Sequence, residues 1–335
     1  MTITPHDDRE KAILQWLSDD LHLTITRFQP ASSDASFRRY YRIEHERQSY
    51  IVMDAPPEKE DTAPFIKVAQ LFQQAHINVP NIVQQNTWQG FLLLEDFGST
   101  CYLDRLNDNN ATPLYTDALN SLLQLQSHIK PQDCNLPPYN AALLQTELQL
   151  FSDWFLSRQC QYTLNGRELQ MLDSSYQLLI ESALQQAQVC VHRDYHSRNL
   201  MYFPHNNPGI IDFQDAVIGP ITYDAVSLLR DCYIRWPDTL IEQQRAAYYQ
   251  QLKQAGLIHC AYPQFCRDFD LMGIQRHLKA IGIFSRLNIR DGKPAYLKDI
   301  PRTLHYVIQI SRQYPELQAL HQFLNECILP ISRQI

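Results

Sequence analysis

Hydrophobic positions in the first hundred residues alternate between helical spacing and that of short strands. Residues 9–21 have helical periodicity, which predicts an amphipathic helix. Five short segments predict strands: Ile25–Phe28, Phe37–Ile43, Tyr50–Met53, Ile82–Gln84 and Phe91–Leu94. Between the third and fourth of these, Asp61–Ala75 places four apolar side chains on one helical face: Phe65, Val68, Ala69 and Phe72. This order predicts a small antiparallel sheet with one helix packed on it.

After Gly98 the pattern becomes predominantly helical. The predicted helices are 113–128, 140–158, 166–187, 222–233, 239–255, 263–287 and 301–326. One break occurs in this half, at Val189–Phe213, where strand-like triplets alternate with polar loops. The sequence therefore predicts an α+β protein with a small antiparallel sheet lobe, residues 1–97, and a larger, mainly helical lobe, residues 98–335.

Glycine is scarce, and its spacing excludes two ways of binding a nucleotide. The chain of 335 residues has nine glycines, none of them before Gly90, and no two lie closer than eight positions apart. A dinucleotide-binding fingerprint needs glycines two and three positions apart, and a Walker loop needs them five apart. If this protein binds a nucleotide, something other than a glycine loop holds the phosphates.

Charge and cysteine usage favour a small-molecule partner. The formal net charge of −7 argues against binding to nucleic acid or to an acidic membrane, which both require a basic surface. The eight cysteines include no C-x-x-C pair, which is typical of reduced, individually buried thiols. No secretory signal or membrane span is evident. We expect a cytoplasmic monomer.

The break at 189–213 contains polar residues in a spacing typical of phosphoryl transfer. Residues 192–199 read H-R-D-Y-H-S-R-N, and Asp212 follows in the segment G-I-I-D-F. Phosphoryl transfer through a loose transition state needs a positioned acceptor hydroxyl and metal ions that hold the phosphates. Asp194 would accept the hydroxyl proton, while Asn199 and Asp212 would supply oxygen ligands to Mg²⁺.

The alternative is that these residues have only local structural roles. His192 and Asp194 would then cap a turn, and Asp212 would be a carboxylate at the end of a strand. Chance rarely produces this spacing, and it falls at the one strand-like island of a helical region. The catalytic interpretation is therefore favoured.

Three segments together resemble the aminoglycoside phosphotransferase and choline kinase-like superfamily: H-x-D-x-H-x-x-N at 192–199, I-D-F-x-D-A at 211–216, and G-P-x-x-Y-D-A-x-S-L-L-R-D at 219–231. Four further segments are similar to the anomeric N-acetylmuramate/N-acetylglucosamine kinases of peptidoglycan recycling. These are D-A-S-F-R-R-Y-Y-R at 34–42, V-M-D-A-P-P at 52–57, F-L-L-L-E-D-F-G at 91–98 and R-H-L-K-A-I-G-I-F-S-R-L at 276–287. The resemblance implies a protein-kinase-like two-lobed fold with ATP and Mg²⁺ as cofactors.

In the helical lobe the resemblance implies roles for residues of the loop and its surroundings. Asp194 matches the general base, His196 lies two positions after it, and Asn199 and Asp212 match the Mg²⁺ ligands. Asp224 matches a buried carboxylate that steadies the loop through His192 or Arg193. An ordinary first-turn carboxylate is an equally open interpretation of Asp224. Asp215 could widen the metal site, although a turn residue is the simpler interpretation.

In the sheet lobe the resemblance implies a nucleotide-binding role, with two departures from the kinase pattern. Glu95 and Phe97 match the hinge whose backbone would meet the adenine, and Gly98 lets the chain turn into the helical lobe. The loop between the first two strands has no glycine, so the amides and hydroxyls of its small residues would contact the phosphates: Ser33, Ala35 and Ser36. The third strand, Tyr50–Met53, has no lysine, whereas kinases place there the lysine that pairs with the α- and β-phosphates. The candidate substitutes are Arg38, Arg39 and Lys67.

Basic residues on helix 263–287 suggest an acceptor site for an anionic sugar. Arg276, Lys279 and Arg286 share one helical face and could bind the lactyl carboxylate of N-acetylmuramate. A solvated basic face is the alternative. Tyr233 and Trp236 could stack on a sugar, although core packing is the simpler role for each.

The sequence thus leads to one functional hypothesis and three alternatives. The hypothesis is an ATP- and Mg²⁺-dependent kinase that phosphorylates the anomeric hydroxyl of an N-acetylated amino sugar in cell-wall salvage. The first alternative is a kinase of aminoglycosides or other small alcohols. The second is a non-catalytic, nucleotide-binding protein with a kinase fold. The third is a generic helical scaffold that binds no nucleotide.

Overall fold

Five antiparallel strands form the amino-terminal sheet in the computed structural model, which describes residues 4–32 and 37–333. The strands are β1 (Arg27–Ser32), β2 (Arg39–His45), β3 (Gln48–Asp54), β4 (Ile82–Asn86) and β5 (Phe91–Glu95). Their order across the sheet is β1-β2-β3-β5-β4. The register pairs Arg42 of β2 with Ile51 of β3, and Ile51 with Leu94 of β5.

Both faces of this sheet are covered by helices. Helix α1 (Asp8–Gln15), extended by a π-helical turn at Trp16–Asp20, buries Ile13, Trp16 and Leu17 against one face. Helix α2 (Ala63–Gln74) buries its predicted apolar face on the other side. Because side chains alternate along a strand, Val52 packs towards α1 and Met53 towards α2. The apolar run of β5 is buried on both faces for the same reason.

The second lobe is built from helices. Through its first half these are α3 (Tyr102–Arg105), α4 (Ala111–His128), α5 (Pro131–Cys134), α6 (Ala141–Leu150) with a π-helical extension at Phe151–Gln159, and α7 (Gly166–Gln185). Four short strands follow: β6 (Gln188–Val191), β7 (Leu200–Met201), β8 (Gly209–Ile210) and β9 (Val217–Pro220). They pair as β6-β9 and β7-β8, which confirms the predicted strand-like island.

The rest of the chain surrounds one long helix. Helices α8 (Tyr223–Leu229) and α9 (Asp238–Gln254) precede α10 (Tyr262–Asp291), and a 3-10 turn (Pro294–Asp299), α11 (Ile300–Ser311), α12 (Gln318–Phe323) and α13 (Leu329–Ser332) follow it. Seventeen of the 30 residues of α10 are buried. A Cβ at Gly282 would lie 2.4 Å from the Leu150 carbonyl carbon, so glycine lets α10 approach the end of α6 closely.

The predicted α+β class, with a sheet lobe and a helical lobe, is confirmed, but two predicted helices have different ends. The predicted helix 301–326 is broken between α11 and α12. Pro315 has no N–H to continue a helix, and Tyr314 before it is extended with φ −115° and ψ 118°. The predicted helix 222–233 ends at Leu229, because Arg230 leaves the helical conformation with φ −117° and ψ 54°. No helix in the described ranges is both long and apolar enough to cross a membrane.

We expect Gly90→Ala to destabilise the sheet lobe more than a matched glycine change elsewhere. Gly90 has φ +77°, and an added Cβ would lie 1.9 Å from the Ala55 carbonyl oxygen. Gly256 also has positive φ, +69°, but a Cβ there meets nothing within 4 Å. Gly256→Ala should therefore lower the free energy of unfolding only by the backbone strain, about 1–2 kcal/mol. Gly90→Ala should lower it further, because the chain at Ala55, next to the end of β3, must also move.

Urea and thermal unfolding of both variants, followed by circular dichroism, would measure these differences. Equal losses of stability in the two variants would contradict the close contact at Gly90.

Candidate active site

The candidate catalytic loop lies between β6 and β7, and it brings together three residues predicted to act in phosphoryl transfer. Asn199 donates from Nδ2 to the Asp194 backbone carbonyl at 3.0 Å. The same amide nitrogen lies 3.2 Å from Asp212 Oδ2. Asp212 follows β8 with φ +63°, and Gln214 donates to its other carboxylate oxygen at 2.8 Å.

A fully buried carboxylate lies beneath the start of this loop. Asp224, on the first turn of α8, accepts from the backbone N–H of His192 at 2.6 Å and from that of Arg193 at 3.0 Å. These bonds hold Arg193 at φ +77°. The structure therefore places Asp224 where it contacts both loop residues named in the sequence analysis. Burial raises the pKa of Asp224 to about 7.

His192 connects the loop to the segment before Asp212. Its Nδ1 accepts from the Asp194 N–H at 3.2 Å, so its Nε2 carries the hydrogen and donates to the Ile211 carbonyl at 3.1 Å. Burial lowers the pKa of His192 to about 4, which keeps the ring neutral at physiological pH. The neutral ring thus spans the two segments that carry Asp194 and Asp212.

A second buried carboxylate, Asp231, holds the middle of the loop and is absent from the sequence-based candidates. Its Oδ2 accepts from the Ser197 N–H and its Oδ1 from the Tyr233 N–H, each at 2.9 Å. Asp231 ends the segment 219–231 that carried the family resemblance. From sequence alone, however, an acidic residue at the end of a helix does not show that its partner is a loop 34 positions away.

A cavity of about 320 Å³ lies between the two lobes and is here called the interlobe cavity. Four residues predicted to contact nucleotide or metal line it: Glu95, Phe97, Asn199 and Asp212. Phe97 packs edge-on against Phe203, and Gly209 gives both rings room, since a Cβ there would lie 2.7 Å from each. The predicted phosphate-binding residues Ser33, Ala35 and Ser36 lie outside the described residues.

The three candidates for the missing strand lysine do not line the interlobe cavity. Arg38 lies 3.7 Å from Glu60, and Lys67 donates to the Asn135 carbonyl at 2.5 Å. Arg39 forms ion pairs with Asp7 and, at 2.8 Å, with Asp54.

Two other cations do line the interlobe cavity, Arg42 and Arg198. Arg42, on β2, donates to both oxygens of Asp96, at 2.6 and 3.0 Å, and to the Gly98 carbonyl at 2.7 Å. It therefore ties the sheet to the hinge. Arg42 is not among the sequence-based candidates, because its partner Asp96 is 54 positions away and only the sheet register brings the two together.

A second cavity, of about 80 Å³, lies on the other side of the loop and is here called the inner cavity. Its lining comprises Asp194, His196, Tyr223, Cys232, Tyr233, Arg276, Lys279, Ala280, Ile283 and Phe284. Arg276 is 5% exposed and Lys279 7%, so the solvated basic face considered above is wrong for these two residues. Arg286 does not line this cavity. Trp236 is buried and donates to the Tyr115 hydroxyl at 2.7 Å, a core-packing role.

The two cations of the inner cavity have different partners. Lys279 lies 3.0 Å from Glu147 Oε1 and donates to the Tyr223 hydroxyl at 3.1 Å. Glu147 also accepts from Arg193 at 2.5 Å. Arg276 contacts the Cys232 thiol at 3.3 Å, and among the described residues it forms no ion pair. One carboxylate, Glu147, is therefore shared by Lys279 and Arg193, while Arg276 has no carboxylate partner of its own among the described residues and could contact a ligand.

Glu147 is a second residue missing from the sequence-based candidates. It is buried on α6, where Gln275 donates to it at 3.2 Å and the Tyr139 hydroxyl also donates to it. A single charged residue on the otherwise uncharged helix A-A-L-L-Q-T-E-L-Q-L is the signal that could have identified it.

Asp194 is ionised in this environment. Burial acts to raise the pKa of Asp194, but the positive charges of Lys279 and Arg193 outweigh it and hold the pKa below its usual range. Burial lowers the pKa of His196, so its ring, edge-on to Tyr233, is neutral. Burial also acts to lower the pKa of Lys279, but the Glu147 carboxylate raises it, so the amine stays charged. The inner cavity thus contains one ionised carboxylate and two cations.

Known proteins are similar to this chain in sequence and in fold. Residues 27–258 match the phosphotransferase enzyme family. An N-acetylmuramate/N-acetylglucosamine kinase from Pseudomonas putida is 42% identical over 332 residues, covering 96% of this chain and 97% of that protein. One from Pseudomonas aeruginosa is 46% identical over 297 residues, covering 88% and 87%.

Two solved structures share the fold at low sequence identity. The choline kinase LicA from Streptococcus pneumoniae has a TM-score of 0.62 and 11% identity, covering 90% of this chain and all of that one. The ADP-bound aminoglycoside phosphotransferase APH(2'')-Ib has a TM-score of 0.59 and 16% identity, covering 89% and 98%. The expected kinase-like fold is confirmed, and by its sequence match this chain belongs to the phosphotransferase enzyme family.

Proposed function

We propose that this protein is an ATP- and Mg²⁺-dependent sugar kinase that phosphorylates the anomeric hydroxyl of N-acetylmuramate or N-acetylglucosamine. The observation that carries the proposal is the position of one loop between two cavities. Asp194 lines the inner cavity, while Asn199 of the same loop lines the interlobe cavity together with Asp212. A phosphoryl donor and an acceptor could therefore bind on opposite sides of the loop. The names of the two Pseudomonas relatives support the choice of acceptor.

The interlobe cavity is the proposed nucleotide site, and its polar residues suit a magnesium nucleotide. Asn199 and Asp212 offer oxygen ligands, which Mg²⁺ prefers, and two protein ligands leave positions for phosphate oxygens and water. Bound Mg²⁺ would neutralise charge on the transferred phosphoryl group. Glu95 and Phe97 would contact the adenine through their backbone. Arg42 and Arg198 line the same cavity and are the cations that could contact the phosphates.

Asp194 is the proposed base for the acceptor hydroxyl. Its ionised carboxylate would accept a hydrogen bond from the hydroxyl and take its proton late in the reaction. An anomeric hydroxyl is more acidic than an ordinary alcohol, so a carboxylate is an adequate base. His196 is neutral and would orient the sugar rather than carry charge. The product would be a sugar 1-phosphate, suited to nucleotidyl transfer in cytoplasmic recycling of the cell wall.

The charge of the inner cavity separates the proposed acceptor from the aminoglycosides. Aminoglycosides are polycations, and the buried Arg276 and Lys279 would repel them. N-acetylmuramate carries a lactyl carboxylate, which Arg276 could bind. Arg286 is half-buried and lies outside the cavity lining, so it is not included in this site. The intact set of Asp194, Asn199 and Asp212 argues against a non-catalytic protein.

We expect Asp194→Asn to abolish most turnover while leaving ATP binding intact. The variant keeps the shape of the side chain but cannot take the proton, so kcat should fall about 10²- to 10⁴-fold. The measurement is steady-state turnover of both sugars with ATP and Mg²⁺, with the product identified by the acid lability of an anomeric phosphate. Asp215→Asn, at an exposed position nearby, is the matched control and should keep its activity. Turnover in Asp194→Asn equal to wild type, or phosphate formed only on an aminoglycoside, would refute the proposal.

We expect Arg276→Gln to discriminate between the two sugars. Loss of a charged hydrogen bond to the lactyl carboxylate should lower kcat/KM for N-acetylmuramate about 10- to 100-fold, mostly through KM. N-acetylglucosamine, which has no carboxylate, should be affected little. Arg286→Gln is the control, since Arg286 lies outside the inner cavity lining. An equal loss on both sugars would mean that Arg276 is structural.

We expect kcat/KM to fall as pH drops below about 7, because Asp224, whose pKa is about 7, then takes up a proton and accepts the loop N–H groups less strongly. The lowered pKa of Asp194 keeps the base itself ionised to lower pH. The profile should be measured with saturating Mg²⁺ at pH values where circular dichroism shows a folded protein. A profile that stays flat through pH 7 would contradict this role of Asp224.

A further inference from the structure

A third cavity, of about 630 Å³, lies beside the first half of α10, between α9 and α11. It is here called the lateral cavity, and the lining residues that bear on its ligand are Arg230, Arg245, Asp270, Tyr306 and Tyr314. None of its lining residues lines the interlobe or the inner cavity. Its volume is in the range of small-molecule sites.

Two arginines in the lateral cavity share one carboxylate. Asp270 accepts from Arg230 Nη2 at 2.7 Å and from the Tyr314 hydroxyl at 2.7 Å, and it lies 3.6 Å from Arg245 Nη1. Both guanidinium groups also lie near the Phe269 ring, at 5.0 and 5.6 Å from its centroid. Asp270 can neutralise only one of the two, so an excess positive charge remains at the bottom of the cavity.

Three donors of the same cavity are buried without an acceptor. Among the described residues, Arg230 Nη1, Arg245 Nε and the Tyr306 hydroxyl have no hydrogen-bond partner. Arg230 is 7% exposed and Tyr306 3%. Buried donors are normally paired, because an unpaired one loses its bonds to water without replacement. Unpaired donors beside an excess positive charge indicate that an anionic acceptor completes the site.

We propose that the lateral cavity binds a small metabolite through a single phosphate or carboxylate group, held by Arg230 and Arg245. At the rim, the exposed Gln309 and Gln313 offer amides that suit the hydroxyls of a polar ligand.

The rim also limits the charge of this ligand. Asp238 and Glu242 line it and are exposed, so they disfavour a second anionic group. Arg312 is exposed on the rim as well. The ligand class is therefore a monoanionic or phosphorylated small molecule rather than a polyanion.

The lateral cavity is connected to the catalytic loop through the backbone. Arg230 is followed directly by Asp231, which accepts the Ser197 N–H of the loop. The Arg230 carbonyl accepts from His277 Nε2 at 2.8 Å, and His277 is next to Arg276 on α10. An anion that fixes Arg230 would thus stabilise the segment that holds the loop, and we expect it to raise the unfolding temperature.

Calorimetric titration with inorganic phosphate tests the proposal. The full chain should first be saturated with a non-hydrolysable ATP analogue and Mg²⁺, so that phosphate cannot enter the nucleotide site. We expect one equivalent to bind with a dissociation constant on the order of 1 mM. Arg245→Gln, which removes the charge and keeps an amide, should weaken binding about tenfold or more. Arg290→Gln is the matched control, since Arg290 is exposed near the far end of α10 and lies outside the lining of the lateral cavity, and it should bind as wild type does.

Arg276→Gln distinguishes the lateral cavity from the inner cavity, and the proposal requires this variant to keep phosphate binding. Binding lost in Arg276→Gln but kept in Arg245→Gln would place the anion in the inner cavity and overturn the proposal. No binding by wild type up to roughly 50 mM phosphate would also overturn it. If Arg245→Gln fails to fold, Tyr306→Phe serves instead, and it should bind phosphate several-fold more weakly with an unchanged far-ultraviolet circular dichroism spectrum.

Discussion

The candidate active site depends on the capture of loop backbone N–H groups by buried carboxylates. A loop that lines a cavity cannot satisfy these donors through regular secondary structure, and an unsatisfied buried donor costs about 1–3 kcal/mol. Asp224 accepts two of them at the start of the loop, and Asp231 accepts a third in its middle. Both acids belong to α8 and the turn after it, so one short helix determines where Asp194 and Asn199 lie.

A buried carboxylate also holds two of the three cations close to Asp194. The three cations are Arg193, Lys279 and Arg276. Glu147 contacts Arg193 and Lys279, and it holds them without contributing to the cavity wall. Arg276 is left without a carboxylate. Glu147 and the ionised Asp194 together balance two of these three cations, so one positive charge is left over, and under the proposed function Arg276 would offer it to an acidic sugar.

The sequence predicted the parts of this site that are encoded locally, and it missed those that depend on distant partners. The spacing of Asp194, Asn199 and Asp212 within one short segment predicts that they act together, and the structure brings them together. Helical periodicity likewise predicts α10. Glu147 and Arg42 were missed because their partners lie 46 and 54 positions away, at Arg193 and Asp96. Only the packing of α6 against the loop, and the sheet register beside the hinge, brings such pairs together. The broken helix at Pro315 could have been predicted from that proline.

The position of Arg42 has a consequence for inhibitor design. In protein kinases a strand lysine contacts the α- and β-phosphates of the nucleotide, and no lysine lies in β3 here. A competitive ligand that relies on that contact would lose it here, whereas an acidic group placed beside Asp96 and Gly98 could engage Arg42 from the hinge side. Since Arg42 is already bonded to Asp96, such a group must match the bidentate geometry of a carboxylate to compete. This requirement would distinguish ligands of this protein from those of lysine-bearing kinases.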